Sequence, residues 1–412
     1  MLKHFFSDTR TIDRLHEEPL GPHVDSFAEM LRDQGYTRSS SRLQLFMIAD
    51  FNQWLQRKHI TVEQLTKEHF RKYIRYRDRY HLSNRIAAVS ALRRLFDQLC
   101  HKTVITEQAG PPPSKAENVS AEFAHYLQRE RALAAATVVH YCRFVFSFLS
   151  EWFDHKHADL SGLSAADIVQ FVQTKAAKQK PKQSKTMITA LRSFLQFARY
   201  QNYINSDLAT AVPTVALWEM SGIPKYLPRE QVEQVLSSCD RQTAIGRRDY
   251  AILLLLARLG LRAGEIVCLT LEDIYWSEGR ISVNGKTGHR PRLPLPPDVG
   301  EALAAYLQNG RQQTKCRTVF LRQRAPIRGF KDSASVCRIV EYALKRAGIQ
   351  SPRKGAHQFR HSLATELLRK GASLIEIGEL LGHRRPRTTA IYAKVDLPSL
   401  SKLAMPWPGC AK

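Results

Sequence analysis

The chain has 412 residues, which is too long for one ordinary hydrophobic core, so we expect two or three domains. Its 43% hydrophobic and 24% charged residues exclude an intrinsically disordered chain. The 62 Lys and Arg residues outnumber the 38 Asp and Glu residues, which gives a formal net charge of +24. This charge indicates a polyanionic partner, either nucleic acid or an anionic membrane surface. The alternative is that the charge serves only solubility.

No segment is typical of a secreted or membrane-spanning protein. The amino terminus lacks the apolar run of a signal peptide, and the longest apolar stretch, residues 251–257, is far shorter than the roughly 20 residues that span a bilayer. The seven cysteines are scattered without a closely spaced pair, which argues against a zinc site and a disulfide framework. We therefore expect a cytoplasmic protein with no metal, no cofactor and no membrane partner.

Two proline-rich breaks divide the chain into three predicted domains. Residues 107–115 contain three consecutive prolines, which bar both helix and sheet, and residues 212–228 contain Pro213, Pro224 and Pro228. The predicted domains cover residues 20–106, 116–211 and 225–412.

The first two predicted domains carry the same helical pattern of apolar residues, offset by 98 positions. The matching residues are Leu43, Phe46, Met47, Phe51 and Trp54 in the first, and Tyr141, Phe144, Val145, Leu149 and Trp152 in the second. Helices repeat apolar spacings by default, so coincidence is the alternative, but the paired tryptophans favour a duplication. Each domain is predicted to be a bundle of about four helices.

Both bundles also carry a basic stretch at a similar place. A run of charge is usually a solvated helix face, but its recurrence favours contact with the DNA backbone. The candidate DNA-binding residues are Arg71, Lys72 and Arg75 in the first stretch, which also includes Arg77, and Lys175, Lys178, Lys182 and Lys185 in the second.

The third predicted domain mixes helices with a small sheet. Residues 250–259 form an apolar helical run that Gly260 ends, and residues 274–295 are predicted to form an antiparallel hairpin or a three-stranded sheet with turns at Gly279 and Gly285. Helices dominate again from Ser333. The predicted fold class is therefore mainly α with a small antiparallel β-sheet: two N-terminal helical bundles and a C-terminal α+β domain.

This domain also carries polar residues suited to attack on a phosphodiester. Without a metal, such a reaction needs fixed cations that neutralise the phosphate oxygens, and a proton for the departing 5′ oxygen. Singly, each of these residues is more often a surface or core residue than part of a site. The candidate set is Arg262 in LRAGE with Glu265 to hold its guanidinium, Lys286 in NGKTG, His357 and Arg360 in HQFRH, His383 in LGH, and Tyr392, with Thr388 and Thr389 as candidate helix caps.

This ordered set resembles the tyrosine recombinases, also called the phage-integrase family. The resemblance covers about 130 residues of the third domain and, more weakly, residues 116–211, which resemble the family's core-binding domain. Residues 20–106 are an extra module. Phe359 stands where the family usually has Leu, which should affect packing alone.

The resemblance implies a role for each residue. Tyr392 attacks the scissile phosphate and forms a 3′-phosphotyrosyl link, without ATP or a metal. Arg262, Arg360 and His383 contact the non-bridging oxygens, and Lys286 protonates the leaving oxygen. His357 either assists proton movement at the tyrosine or binds phosphate. We also expect the cations to favour the Tyr392 phenolate.

The resemblance further implies a homotetramer on two double-stranded DNA sites. The tail residues Leu397, Leu400, Leu403 and Trp407 suit docking on a neighbouring subunit, and packing on their own domain is the alternative. The extra module favours an integrase or transposase of a mobile element. Two other functions remain open: a type IB topoisomerase, and an inactive DNA-binding relative.

Overall fold

The computed structural model describes residues 1–80, 82–105, 112–154, 159–215, 226–285, 290–351, 355–383 and 385–395. By their contacts, residues 1–107 and 222–412 form one compact unit and residues 108–221 form another. Below, the described residues 1–105 are called the N-terminal bundle, 112–215 the middle bundle and 226–395 the C-terminal part. The described chain is mainly helical with one three-stranded antiparallel sheet, which confirms the predicted fold class.

The N-terminal bundle surrounds a core of aromatic and aliphatic side chains that includes Phe27, Phe51 and Trp54. This core also takes in Leu2 and Phe5, so packing begins before the predicted domain start at residue 20. Its elements are a 3₁₀ turn (Leu2–His4) and helices α1 (Thr9–Leu15), α2 (Gly21–Asp33), α3 (Arg38–Arg57), α4 (Lys67–Arg79) and α5 (Arg85–His101).

The middle bundle has its own core, which includes Phe123, Trp152 and Phe194. Its helix α6 starts with a capping box, in which Ser114 accepts a hydrogen bond from the Glu117 backbone and the Glu117 carboxylate accepts one from the Ser114 backbone. The elements are α6 (Lys115–Arg129), α7 (Ala135–Asp154), α8 (Ala165–Ala177) and α9 (Pro181–Tyr200). Helices α3 and α7 have equal lengths, as do α4 and α8, so the helix order agrees with a duplication, which stays a prediction.

The C-terminal part is built around the apolar helix α11, whose residues from Ala251 to Leu256 are all buried. Its helices are α10 (Arg229–Ser237), α11 (Ala244–Arg258), α12 (Ala263–Cys268), α13 (Pro297–Asn309), α14 (Ser333–Arg346), α15 (His357–Arg369), α16 (Leu374–Leu380) and α17 (Pro386–Thr389), with 3₁₀ turns at Leu271–Asp273 and Ala390–Val395. Among the described residues of the whole chain, no helix has both the length and the apolar character needed to cross a bilayer.

The sheet follows α12 and has the strand order β1-β2-β3, with β1 (Ile274–Tyr275), β2 (Arg280–Ser282) and β3 (Arg292–Pro294). Ile281 in the middle strand pairs with Ile274 on one side and Leu293 on the other, which confirms the predicted antiparallel sheet. Gly279, in the turn between β1 and β2, has a φ of +58°, a conformation that favours glycine. The connection from β2 to β3 contains Gly285 and the predicted Lys286, and Lys286 lies outside the described residues.

The N-terminal bundle and the C-terminal part meet within their shared unit. The Ile327 backbone N–H donates to the Gln34 carbonyl at 2.9 Å. Gly35 has a φ of +76°, and a Cβ atom there would lie 2.6 Å from Cγ1 of Ile327. A side chain at position 35 would therefore collide with the C-terminal part.

Candidate active site

Gly260 makes the turn that brings Arg262 to the site. Its φ of +61° ends α11, and a Cβ atom at this position would lie 2.7 Å from the Leu381 side chain and 3.0 Å from the Leu363 side chain. A glycine is therefore required both by the backbone conformation and by the close approach of α15 and the segment after α16. The chain then turns into α12, with Arg262 immediately before the helix.

Glu265 holds the Arg262 side chain. One carboxylate oxygen of Glu265 accepts a hydrogen bond from Nη1 of Arg262 at 2.6 Å. The other carboxylate oxygen accepts a hydrogen bond from the Arg262 backbone N–H at 2.8 Å. Glu265 is buried, whereas the Arg262 side chain is 37% exposed. The Glu265 carboxylate thus orients the guanidinium, while part of the guanidinium stays accessible to an anion.

Arg360, on α15, is almost fully buried, and it links the turn at Gly260 to the end of α16 at Leu381. Its Nη1 donates to the Gly260 carbonyl at 2.7 Å, and its Nη2 donates to the Leu381 carbonyl. Its Nε has no hydrogen-bond partner among the described residues. Burial, and secondly the charge of Arg262, lower the pKa of Arg360 to about 10, so the side chain remains cationic at neutral pH.

His383 lies directly after the turn at Gly382, which has a φ of +59°. The His383 backbone N–H donates to the Gly378 carbonyl at 2.8 Å, and its Nδ1 lies 2.8 Å from Oγ1 of Thr389. Burial is the largest cause that lowers the pKa of His383 to about 4, followed by the charges of Arg360 and Arg262. The imidazole is therefore neutral at neutral pH.

Thr389 directly precedes the 3₁₀ turn Ala390–Val395 that contains Tyr392, so the assignment of Thr388 and Thr389 as caps of that helix stays a prediction. Thr389 is also the last residue of helix α17, which begins at Pro386 with Arg385 in the capping position. The Thr389 side chain is buried beside Gly378 and His383. Proline is favoured in the first turn of a helix because it has no N–H to leave unpaired, which explains why α17 begins at Pro386.

Tyr392 lies in the 3₁₀ turn Ala390–Val395 and is only 1% exposed. Its ring packs with Ala364, Ile377 and Leu381, and it is nearly parallel to the His383 ring, with centroids 6.5 Å apart. Burial raises the pKa of Tyr392, and the charges of Arg360 and Arg262 lower it by less. The two cations favour the phenolate, as expected, but burial outweighs them, so the pKa of Tyr392 is raised overall.

The sequence interpretation missed His361, the side chain that reaches the phenol. Nδ1 of His361 lies 3.0 Å from the Tyr392 hydroxyl, and His361 is itself buried. Its neighbour on the previous helical turn, His357, is exposed, and the two rings meet edge-on with centroids 4.7 Å apart. The spacing of four residues from His357 is the only sequence signal that could have pointed to His361.

A concave cavity of about 560 Å³ joins several of these residues. Arg262, Glu265, Arg360 and His383 line it, as does Gly285, which precedes Lys286 in the chain. Tyr392 does not line the cavity but stacks against His383, which does. Two arginines and a neutral imidazole on separate segments thus face one space large enough for a phosphate group.

The candidate DNA-binding residues lie far along the chain from this cavity. Arg71, Lys72 and Arg75 are exposed on α4, and both arginines lie within 4 Å of the Glu68 carboxylate, at 3.5 and 3.7 Å. Arg77, in the same stretch, is buried and donates to the Tyr73 hydroxyl and the Ser83 carbonyl, so it supports the bundle.

In the middle bundle, Lys178 is exposed just after α8, and Lys182 and Lys185 are exposed in the first turn and a half of α9. Lys175 is half-buried, and its ammonium lies 2.9 Å from the Glu151 carboxylate. Three of the four predicted lysines are thus exposed around one helix–helix connection. Within the described residues, no cluster of three or more His, Cys, Asp or Glu side chains could hold a metal ion.

Two segments of the chain match known families. Residues 225–397 match the family described as "Phage integrase family", and residues 121–202 match "Phage integrase, N-terminal SAM-like domain". The chain is 47% identical to a protein of Sinorhizobium fredii (strain NBRC 101917 / NGR234) named "Putative integrase/recombinase y4rA", over 100% of both proteins. It is 33% identical to the tyrosine recombinase XerD of Listeria monocytogenes serovar 1/2a, over 66% of this chain and 93% of XerD.

Solved structures share the fold at lower sequence identity. The XerH site-specific recombinase in a post-cleavage complex with its palindromic difH substrate is 20% identical, with a TM-score of 0.57 over 82% of this chain and 94% of XerH. A lambda integrase tetramer bound to a Holliday junction is 15% identical, with a TM-score of 0.52 over 73% of this chain and 86% of the integrase.

Proposed function

The chain belongs to the phage integrase family of tyrosine recombinases, and we propose that it cleaves and rejoins DNA at specific sites through a 3′-phosphotyrosyl link to Tyr392. One observation carries this proposal: Arg262, Arg360 and His383 face a single cavity, and the Tyr392 ring stacks on His383 at its edge. These four residues lie in or close to four separate elements of the chain, so the fold brings them together.

In this proposal the two arginines bind the non-bridging oxygens of the scissile phosphate. Arg360 is held by two backbone carbonyls and Arg262 by Glu265, so both guanidinium groups are oriented before DNA arrives. Cations fixed in this way stabilise the charge that develops in the transition state without reorganising. Glu265 is a positioning residue, since it acts through Arg262.

His383 supplies a neutral hydrogen-bond donor. Its low pKa keeps the ring uncharged, and Thr389 lies close enough to donate its hydroxyl proton to Nδ1. In that tautomer the Nε2–H is directed to a phosphate oxygen. Lys286 protonates the leaving 5′ oxygen in this proposal, and His357 assists proton movement or binds phosphate.

In this proposal each of the two bundles binds DNA. We assign residues 20–106 and 116–211 to DNA-binding modules and residues 225–412 to the catalytic domain; the two family matches, 121–202 and 225–397, support the second and third assignments. The charge of +24 and the exposed lysines around the α8–α9 connection support a double-stranded DNA partner.

Replacing Lys182 by alanine should weaken DNA binding and reduce the slope of log affinity against log salt by about one, because one phosphate contact is lost. The matched control is Arg199→Ala, at the opposite end of α9 and roughly 25 Å away by helix geometry. Its side chain is exposed and lies 3.4 Å from Asp207. Equal loss of slope in both variants, measured by fluorescence anisotropy, would show that Lys182 makes no particular contact.

We base the proposed assembly and the proposed biological role on the proteins that this chain resembles. A lambda integrase tetramer on a Holliday junction supports a homotetramer that exchanges strands between two DNA sites. The relative y4rA, which is named as an integrase/recombinase and matches over the whole chain, supports a role in integration or transposition of a mobile element. We propose that the protein acts on DNA in the cytoplasm.

The proposal is tested by selecting the bound site from random duplexes and placing two copies on one supercoiled plasmid. With EDTA present and ATP absent, we expect covalent protein–DNA adducts and recombined circles that depend on both copies. A plasmid without the site should stay supercoiled. Its relaxation would indicate a type IB topoisomerase, and the absence of adducts on every substrate would indicate an inactive DNA-binding relative.

A further inference from the structure

The buried phenol of Tyr392 poses a chemical problem that the arginines do not solve. A nucleophilic phenol must lose its proton as it attacks phosphorus. Burial raises the pKa of Tyr392 despite the nearby cations, so the hydroxyl is protonated at neutral pH. Attack therefore needs a proton acceptor in contact with the hydroxyl.

Among the described residues, two imidazoles have ring contacts with Tyr392, and their geometry differs. His361 places Nδ1 3.0 Å from the hydroxyl oxygen, with the rings inclined at 62°. His383 stacks parallel to the ring at 6.5 Å, and its Nδ1 lies next to the Thr389 hydroxyl. Of these two imidazoles, His361 is the one with a ring nitrogen within hydrogen-bonding distance of the phenol, which a base that removes the proton must have.

The backbone fixes His361 in this position. It follows Arg360 directly on α15, so the helix that orients the phosphate-binding guanidinium also orients the imidazole. Both side chains are buried, and Tyr392 packs on the same helix through Ala364. An acceptor held in this way needs no rearrangement to reach the hydroxyl.

We propose that His361 is the general base of the cleavage step and accepts the Tyr392 hydroxyl proton at Nδ1. The Oη–P bond forms as that proton moves, the P–O5′ bond breaks, and the 5′ oxygen takes a proton from a separate acid, the role proposed above for Lys286. In rejoining, the histidinium returns its proton to the departing phenolate. This inference rests on the proposed function, because it requires Tyr392 to be the nucleophile.

The test compares the parent chain with His361→Asn in single-turnover cleavage of a nicked suicide substrate carrying the selected site. The asparagine carbonyl oxygen can still accept a hydrogen bond near the position of Nδ1, but it does not take up a proton. Cleavage is expected to fall by about 10² or more, within the range for a lost general base. DNA affinity and the melting temperature should match those of the parent. Cleavage within about threefold of the parent rate would reduce His361 to a positioning role and overturn the proposal.

A second substrate separates the base from the acid. In a 5′-bridging phosphorothiolate the leaving group is a thiolate, which departs without a proton. The defect of His361→Asn is expected to persist on this substrate, whereas Lys286→Ala should regain cleavage. Recovery of His361→Asn would mean that His361 serves the leaving group, contrary to the proposal. If the parent chain formed no adduct, the proposed function itself would be wrong. That outcome is distinct from a failure of the His361 proposal alone.

A third measurement uses the unaltered chain and so does not depend on the folding of a variant. Nitrogen-15 NMR of histidine-labelled protein at neutral pH reports which ring nitrogen of His361 carries the proton. The proposal requires Nδ1 to be unprotonated in the unliganded chain. A protonated Nδ1 would make His361 a donor to the phenol and would overturn its role as base.

Discussion

Tyr392→Phe is expected to bind DNA as tightly as the parent chain and to form no covalent adduct. The substitution removes only the hydroxyl, and the ring keeps its packing on Ala364, Ile377 and Leu381. The lost contact with His361 costs about 1 kcal/mol of stability, a typical value for one hydrogen bond. Cleavage, in contrast, should fall by at least about 10⁴-fold, as when other enzymes lose a nucleophile.

Tyr306→Phe is the matched control for this prediction. Tyr306 is fully buried in the same part of the chain, and its hydroxyl accepts a hydrogen bond from the Leu321 backbone at 3.2 Å. Its loss should lower stability by a similar amount and leave adduct formation intact. Gel analysis of denatured reactions measures both variants. An adduct formed by Tyr392→Phe would mean that another residue is the nucleophile.

Arg360→Lys is expected to reduce cleavage by about 10²- to 10³-fold, the usual cost of removing one fixed donor from a transition state. Arg360 binds the Gly260 and Leu381 carbonyls with two nitrogens and still presents a cation to the cavity. A lysine ammonium cannot span both carbonyls in the same plane. The DNA affinity should change much less than the cleavage rate, since binding draws on many other phosphate contacts.

The control for Arg360→Lys is Arg369→Lys, on the same helix. Arg369 is exposed and donates to the Tyr226 hydroxyl at 2.6 Å. It should cleave at the parent rate in the single-turnover assay. If Arg360→Lys also cleaved within about threefold of the parent, the buried guanidinium would be a structural link between two turns with no part in catalysis.

The sequence predicts the fold class and the local structures that depend on neighbouring residues. Gly260 and Gly279 mark a helix end and a turn because each requires a backbone conformation that other residues resist. Alternating apolar residues predict the sheet, and the spacing of Arg262 and Glu265 predicts a contact across one helical turn, which is present at 2.6 Å. Such features depend on residues that are close to one another in the sequence.

Features that depend on distant segments could not be predicted. His361 gains its importance from Tyr392, 31 residues away, and nothing in HQFRH tells which histidine faces the tyrosine. The raised pKa of Tyr392 reflects burial by α15 and α16, which outweighs the arginines. Arg77 lies in a basic run but is buried against Tyr73, and Leu2 and Phe5 join a core predicted to start later.

The most direct test of the account is to identify the amino acid that carries the DNA. The adduct formed on a nicked suicide substrate is digested with protease and nuclease, and the remaining nucleotide–peptide conjugate is sequenced by mass spectrometry. The account predicts a single conjugate in which the Tyr392 phenol oxygen is joined to a 3′ phosphate. A conjugate on any other residue, or one joined through a 5′ phosphate, would contradict it.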